Sequence, residues 1–259
     1  MFIDSHCHLN FSAFDEDLDA VVHRAVEAGV DRIIVASVDE ESSRKAVELA
    51  ERTPQIYAAV GIHPQDAQKY AEESIRIFQD WARHPKVVAI GEIGLDYYRD
   101  YNPKELQVRV FKRFVRLAKE TGLPIIVHNR GADSDVMAVL SDPQFKSVTG
   151  VFHCFSSDLS YARNVLQRGY LISFTGIVTF KNSESAAILR ELPEEKLMLE
   201  TDAPLLAPEP HRGKRNEPAF IKFVAEKFAE VKQISLDEIA KITTQNALRL
   251  FPKLRNAFD

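Results

Sequence analysis

The chain has 259 residues, 45% of them hydrophobic and 27% charged, which gives enough apolar material for a large core and excludes a disordered or fibrous chain. A formal net charge of −5 argues against a sequence-blind nucleic-acid coat, which needs a basic surface, but leaves room for an enzyme that meets phosphate only in a metal cleft. Two cysteines, Cys7 and Cys154, make no disulfide framework. The start Met-Phe-Ile-Asp-Ser-His lacks the basic and apolar regions of a signal peptide, and no apolar run reaches the roughly 18 residues of a membrane span, so a soluble cytoplasmic protein is expected.

Short β-branched runs alternate with longer amphipathic segments. The first strand is expected at Phe2–Ser5. A helix follows over Asp15–Ala28, with Leu18, Val21, Val22 and Ala25 on one stripe and Gly29 as its stop. Further strands are expected at Arg32–Ser37, Ile56–Gly61 and Val87–Ile93. Asn102 reads as a helix cap, with Pro103 at the first helical position, and Leu106, Val110, Phe114 and Leu117 form the buried stripe behind it. The remaining strands are expected at Pro124–His128, Gly150–Cys154, Tyr170–Phe174 and Leu197–Thr201. The loop Ala207–Asn216 is long, polar and broken by proline, and Ser235–Glu238 reads as a capping box opening a last helix.

Near-continuous apolar runs suit strands covered on both faces, and their repeated alternation with helices suits a closed parallel barrel. The expected fold is α/β: a (β/α)8 TIM barrel, with residues 1–259 as one domain. An open doubly wound sheet would want a G-x-G-x-x-G loop after an early strand, and the sequence has none.

Alternation within a strand turns His6 and His8 to one side and Cys7 to the other. Alone, such a pair reads more readily as packed or exposed histidines than as a cation site. Position adds the argument. His6 and His8 end the first strand, Glu92 the fourth, His128 the fifth, His153 the sixth and Asp202 the eighth, which is where a barrel keeps its chemistry. Separate hydrogen-bonded core histidines would leave costly polar groups clustered without purpose. Four imidazoles and two carboxylates exceed one zinc site and suit two divalent ions, with Glu92 the natural bridge; zinc, manganese and magnesium all accept such donors. Asp4 shares a face with His6 and His8, and Glu200 with Asp202, so each is either a ligand-orienting carboxylate or an ordinary buried one. Cys7 and Cys154 point away and read as packing residues.

Among the other polar residues, Arg130 lies two past His128, and His211, Arg212, Lys214 and Arg215 lie on the loop after Asp202. Arginine forks suit phosphate oxygens, while a solvated charged loop is the plain alternative for Lys214 and Arg215. His63, ending the third strand, reads as a substrate contact or proton donor. His23 and His84 read as surface residues, and Tyr97 and Tyr98 either stack on a base or pack at the rim.

These stretches resemble the TatD family of metal-dependent deoxyribonucleases, within the amidohydrolase-like barrels. The resemblance rests on Ile3-Asp-Ser-His-Cys-His8, Val60-Gly-Ile-His-Pro64, Gly91-Glu-Ile-Gly-Leu-Asp-Tyr-Tyr98, Ile126-Val-His-Asn-Arg130, Phe152-His-Cys-Phe-Ser156, Glu200-Thr-Asp-Ala-Pro204 and His211-Arg-Gly-Lys-Arg-Asn-Glu-Pro218, in order along nearly the whole chain. The stretch Ser173–Phe180 is similar to the bacterial branch. The resemblance implies one metal held by His6, His8 and Asp202, a second by His128 and His153, and Glu92 between them. Gln65 and Asn129 depart from many members on the substrate side.

The expected activity is hydrolysis of DNA phosphodiester bonds, of 3′-5′ exonuclease type and acting on single-stranded 3′ ends. Asp202 is the candidate base for a metal-activated water, with His63, Arg130, His211, Arg212 and Lys214 as substrate contacts. A carboxylic-ester or amide hydrolase, such as an aminoacyl-ester deacylase, would use the same metals. A metal-stabilised binding barrel without catalysis is the non-enzymatic rival, although a closed structural site needs only four ligands.

Overall fold

A computed structural model describes residues 1–99 and 101–257. Eight strands belong to one sheet in which neighbours follow chain order, each followed by helix, and the fold is the expected (β/α)8 barrel class. The strands are β1 (Phe2–Cys7), β2 (Val30–Val35), β3 (Ile56–Val60), β4 (Val87–Asp96), β5 (Ile125–Arg130), β6 (Gly150–Phe152), β7 (Leu171–Phe174) and β8 (Leu197–Leu199). No helix among the described residues is long and apolar enough to cross a membrane.

By packing, the chain divides into two compact units. One comprises Met1–Val35 and Cys154–Arg249. Its strands pair parallel as β1 with β2 and β7 with β8, and β1 also lies against β8. Helices α1 (Leu18–Glu27), α6 (Leu159–Gln167) and α8 (Ile221–Lys232) pack with these strands, each through an apolar stripe such as Val21 and Ala25 of α1 or Val224, Ala225 and Phe228 of α8, and α7 (Ser185–Glu191) packs against α6 and α8. The last helix, α9 (Leu236–Leu250), starts directly after Ser235, whose Oγ accepts the Glu238 amide at 3.2 Å, half of the expected capping box.

The other unit comprises Ala36–His153 with the chain from Leu250 onward. Here β3, β4, β5 and β6 form a continuous parallel ladder. Helices α2 (Glu40–Arg52), α3 (Ile75–Arg83), α4 (Lys104–Thr121) and α5 (Asp133–Leu140) accompany it. The long helix α4 buries Val110, Phe111, Phe114, Val115 and Leu117 and ends on Gly122 in the left-handed region (φ +69°).

Several expected boundaries move, and most have a local cause. β1 runs two residues further than Ser5, to Cys7, so His6 lies within the strand and His8 just beyond it. β4 runs on to Asp96 and β5 on to Arg130, because the two stay in register from Ile93 with Val127 to Asp96 with Arg130. β6 stops at Phe152 rather than Cys154, whose φ of 46° leaves the extended region. β8 stops at Leu199 rather than Thr201, because the Thr201 amide donates to the Asp4 carboxylate (3.0 Å) instead of a ladder carbonyl. β2 is Val30–Val35 rather than Arg32–Ser37, and β3 and β7 each lose one residue. A 3-10 turn at Ser12–Phe14 precedes α1, which begins at Leu18 rather than Asp15. Asn102 does not cap α4. Its amide nitrogen donates to the carbonyls of Pro64 (3.0 Å) and Gln65 (2.7 Å), and Pro103 takes the cap position. Leu106 is only half-buried, and Gln107 turns inward instead, its side chain holding the Asp96 backbone.

Gly94 shows how closely β4 and β5 are fitted. Its φ is +148°, and a Cβ there would overlap the carbonyl oxygen of His128. Gly122, by contrast, has open space around the equivalent position. Gly94→Ala should therefore cost about 3 kcal/mol, through steric conflict as well as backbone strain. Gly122→Ala should cost about 1 kcal/mol, from the left-handed backbone alone. Urea unfolding of the two variants beside the parent checks that order.

Candidate metal centre

In the first unit, the C-terminal ends of β1 and β8 are stitched together by backbone. The Asp202 amide donates to the His6 carbonyl (2.9 Å), and the His8 amide to the Ala203 carbonyl (2.7 Å). Beneath them the buried Asp4 carboxylate accepts the Thr201 amide (3.0 Å) and hydroxyl (2.6 Å) and the His6 amide (3.3 Å). Burial pushes the Asp4 carboxyl up to about 8, against the pull of these hydrogen bonds. Asp4 thus fixes the backbone that carries His6 and Asp202. Glu200 has a comparable role: its carboxylate accepts the Cys154 amide (2.5 Å) and the Ser173 hydroxyl (2.7 Å).

This stitching converges three donor atoms. His6 Nε2 and His8 Nε2 are 3.2 Å apart, and they lie 3.5 and 3.3 Å from Asp202 Oδ1. Ligands held about 2.0–2.1 Å from a four-coordinate zinc are separated by about 3.3–3.4 Å, so the trio fits one divalent ion. All three side chains are buried, and the His8 ring stacks on Phe11 at 4.5 Å. Asp202 itself sits at φ +58°, a left-handed conformation uncommon outside glycine, held by the hydrogen bond its amide donates to the His6 carbonyl.

In the second unit the centre of the cluster is Glu92. It is 3% exposed, and its amide is fixed to the Ser37 carbonyl (2.8 Å). Three imidazoles surround its Oε1: His128 Nδ1 and His153 Nε2 at 2.7 Å and His63 Nε2 at 3.4 Å. Burial alone would raise the Glu92 carboxyl, but the His153 and His63 charges and the His128 and His153 hydrogen bonds outweigh it and hold the group well below the usual range. The His128 and His153 nitrogens are 3.4 Å apart, the same ligand-like spacing, and His63, Glu92 and His128 all offer donor atoms within 4.8 Å of one another. His63 therefore lies within the cluster around Glu92. Its Nδ1 accepts the Gln65 amide (3.1 Å), which leaves Nε2 toward Glu92.

One participant has no counterpart among the residues expected from sequence. Asp96, at the end of β4, is buried with Oδ2 at 3.3 Å from His128 Nε2 and 2.8 Å from the Gln65 amide nitrogen. Its Oδ1 accepts the Tyr98 and Arg99 amides, both at 3.0 Å. Burial opposes the charge on this carboxylate, yet the hydrogen bonds from His128, Gln65 and Arg99 hold it below the ordinary range, and Asp96 and Glu92 in turn raise the His128 imidazole. A carboxylate on the far nitrogen of a ligating histidine fixes its orientation and its basicity. The available signal was parity: Asp96 lies four residues beyond Glu92 on the same strand face.

The other candidates separate by surroundings. Arg130 is exposed at the end of β5 with its guanidinium 4.0 Å over the Tyr98 ring, and Tyr97 donates its hydroxyl to Asp135 (2.7 Å). In the first unit, His211 stacks on Phe220 at 4.1 Å and Arg212 lies 4.4 Å over Phe180, while Lys214 is exposed. Arg215 makes a two-pronged ion pair with Asp17 (2.8 and 2.7 Å). The Ala207–Asn216 loop is pinned at its base, where Asn216 donates to the Thr201 and Leu205 carbonyls. Cys7 is fully buried as expected, and Cys154 half-buried with Sγ 3.7 Å from the Thr175 hydroxyl. His23 is on the surface, and His84 is half-buried beside Glu51.

Residues 3–252 match the family model of TatD-related DNases, and the chain belongs to the TatD family of metal-dependent hydrolases. It is 45% identical to the metal-dependent hydrolase YabD of Bacillus subtilis over 252 residues, covering 97% of this chain and 99% of that one. It is 36% identical to the metal-dependent hydrolase YcfH of Escherichia coli over 254 residues, covering 96% and 95% of the two chains. Among solved structures it is similar to YjjV, a TatD homologue of E. coli, with a TM-score of 0.92 at 35% identity over 97% of this chain and 98% of that one.

Asp96→Ala should weaken divalent-metal binding by about 10–100-fold while the protein stays folded. Zinc titration by calorimetry, with circular dichroism as the folding control, reads this directly; undiminished affinity would remove Asp96 from the centre.

Proposed function

We propose that the protein is a cytoplasmic two-metal phosphodiesterase that cleaves DNA, of 3′-5′ exonuclease type. The observation that carries the proposal is the pair of donor clusters, buried except for the half-buried His128, each with nitrogen and oxygen donors at metal-spanning distances. His6, His8 and Asp202 would hold one ion and His128 and His153 the other. His63 stands beside the second set, and Glu92 is the shared ligand that the family resemblance assigns. Zinc, manganese and magnesium are all consistent with the donors.

When bound, the two ions supply a water acidic enough to act as nucleophile near neutral pH, hold the phosphate and stabilise its developing charge. The chain's own groups do the rest. Asp202 carries its Oδ1 toward the His6 and His8 nitrogens, and its carboxylate is the proposed acceptor of the water's proton. Glu92, kept ionised in a buried place by its imidazole neighbours, provides fixed negative charge for cations. Arg130 offers a planar fork to a phosphate oxygen beside His128. Arg212, Lys214 and His211 extend the same kind of contact on the loop after Asp202. The chain's formal charge of −5 accords with local rather than general attraction for DNA.

The test is release of labelled nucleotides from single- and double-stranded DNA by the purified protein with zinc, manganese or magnesium, before and after chelation. Chelation should abolish activity. Asp202→Ala should lower kcat by on the order of 10³-fold, equivalent to about 4 kcal/mol of transition-state stabilisation. Intact DNA under all three metals, with turnover of an aminoacyl ester instead, would overturn the DNA assignment while keeping the hydrolase.

A further inference from the structure

The outer face of α4 has a charge pattern that the metal chemistry does not use. The helix Lys104–Thr121 carries six basic residues and two acidic ones, in a chain whose net charge is −5. Arg113 is paired with Glu72 at 2.9 Å. The other five, Lys104, Arg109, Lys112, Arg116 and Lys119, are all exposed and lie opposite the buried stripe of Phe111, Phe114 and Leu117. From Arg109 on they recur every three or four residues, so neighbouring cations stand about one helical turn apart, and the row spans about 22 Å.

The row begins at the rim of the second ligand set. Lys104 lies 4.4 Å over the Tyr97 ring, and a surface groove of about 480 Å³ is lined by Tyr97, Lys104, Glu105, Arg109, Lys112 and Asp135. Next to it the Tyr98 ring is 71% exposed and backed by the Arg130 guanidinium. An exposed aromatic ring of that size, braced on one face by a cation, presents its other face to solvent. The turn carrying both tyrosines is fastened by the Asp96 carboxylate, which also contacts His128, and by the Tyr97 amide on the Arg130 carbonyl (2.9 Å). The aromatic platform is thereby held in fixed register with the ligand set.

We infer that Tyr98, Arg130 and the basic face of α4 form a docking track for a single nucleic-acid strand running away from the metal centre, one base stacking on Tyr98 and the phosphates following the row from Lys104 to Lys119. The inference rests on the phosphodiesterase reading for its direction and occupant. A single strand suits the combination because a duplex hides its base faces, so an exposed ring beside a phosphate row gains only from an unpaired base.

The experiment measures binding apart from cleavage. A fluorescein-labelled oligothymidylate long enough to span the helix, about 20 nucleotides, is titrated with the intact protein in EDTA at several salt concentrations and read by anisotropy. The variant Arg109→Gln/Lys112→Gln/Arg116→Gln/Lys119→Gln should bind at least about tenfold more weakly near 0.1 M salt and should flatten the log–log salt dependence by about 3, roughly 0.7 for each phosphate no longer neutralised. Tyr98→Ala should weaken binding about tenfold with the salt slope kept. A control variant, Arg52→Gln/Arg163→Gln/Arg168→Gln/Lys241→Gln, removes the same charge from four exposed positions elsewhere and should bind within about twofold of the parent. The track is overturned if the α4 variant binds like this control, or if a blunt duplex of equal length binds as tightly as the single strand. Failure of the phosphodiesterase reading looks different: binding behaves as described, and the metal-loaded protein leaves DNA uncut.

Discussion

A buried carboxylate that must stay charged sets the terms for the second unit. Glu92 has almost no access to water, and ionisation there is possible only because three imidazoles converge on one oxygen. Those imidazoles come from the ends of β3, β5 and β6, so the parallel ladder β3–β4–β5–β6 has to hold its register to within a residue. A one-residue slip would turn Glu92 to the opposite face and leave an unpaired buried charge. The fit of Gly94 against the His128 carbonyl enforces that register from the backbone side.

The first unit solves the same problem with backbone geometry. His6 ends in strand conformation, whereas Asp202 lies past the end of β8 at a positive φ. Strand alternation therefore explains the histidine but not the aspartate. The conformation of Asp202 follows from the Asp4–Thr201 hydrogen bonds, which end the ladder early, and from the hydrogen bond that the Asp202 amide donates to the His6 carbonyl. Strain of this sort persists where the surroundings over-determine it, and here two carboxylates, Asp4 and Glu200, tie down the chain on either side of the ligands.

The residues of the candidate centre were legible in the sequence because each is a histidine or carboxylate at or just past the end of an apolar run. The strand count and barrel class followed from the same runs. What stayed hidden depended on long-range partners. Asp96 looked like a loop residue because β4 was expected to stop at Ile93. Only the extended pairing with β5, out to Arg130, shows that it faces His128. Asn102 has every local mark of a helix cap, yet two carbonyls at Pro64 and Gln65 compete for its amide and win. The reach of His63 to Glu92 depends on the turn that engages its other nitrogen, a feature that no spacing rule encodes.

Basic residues near the centre divide by what already holds them, and that division bears on how an acidic protein could manage a polyanion. Arg24 and Arg215 form ion pairs with Glu217 and Asp17 and serve to anchor the chain after Asp202 to α1. Their charges are spent locally. Arg130 and Arg212 instead rest on aromatic rings, Tyr98 and Phe180, which orient a guanidinium without neutralising it. A cation held in this way keeps its field for an incoming anion, and the ring fixes the direction of the fork beforehand. Under the phosphodiesterase reading, such placement leaves these two cations available to phosphate in a chain whose formal net charge is −5.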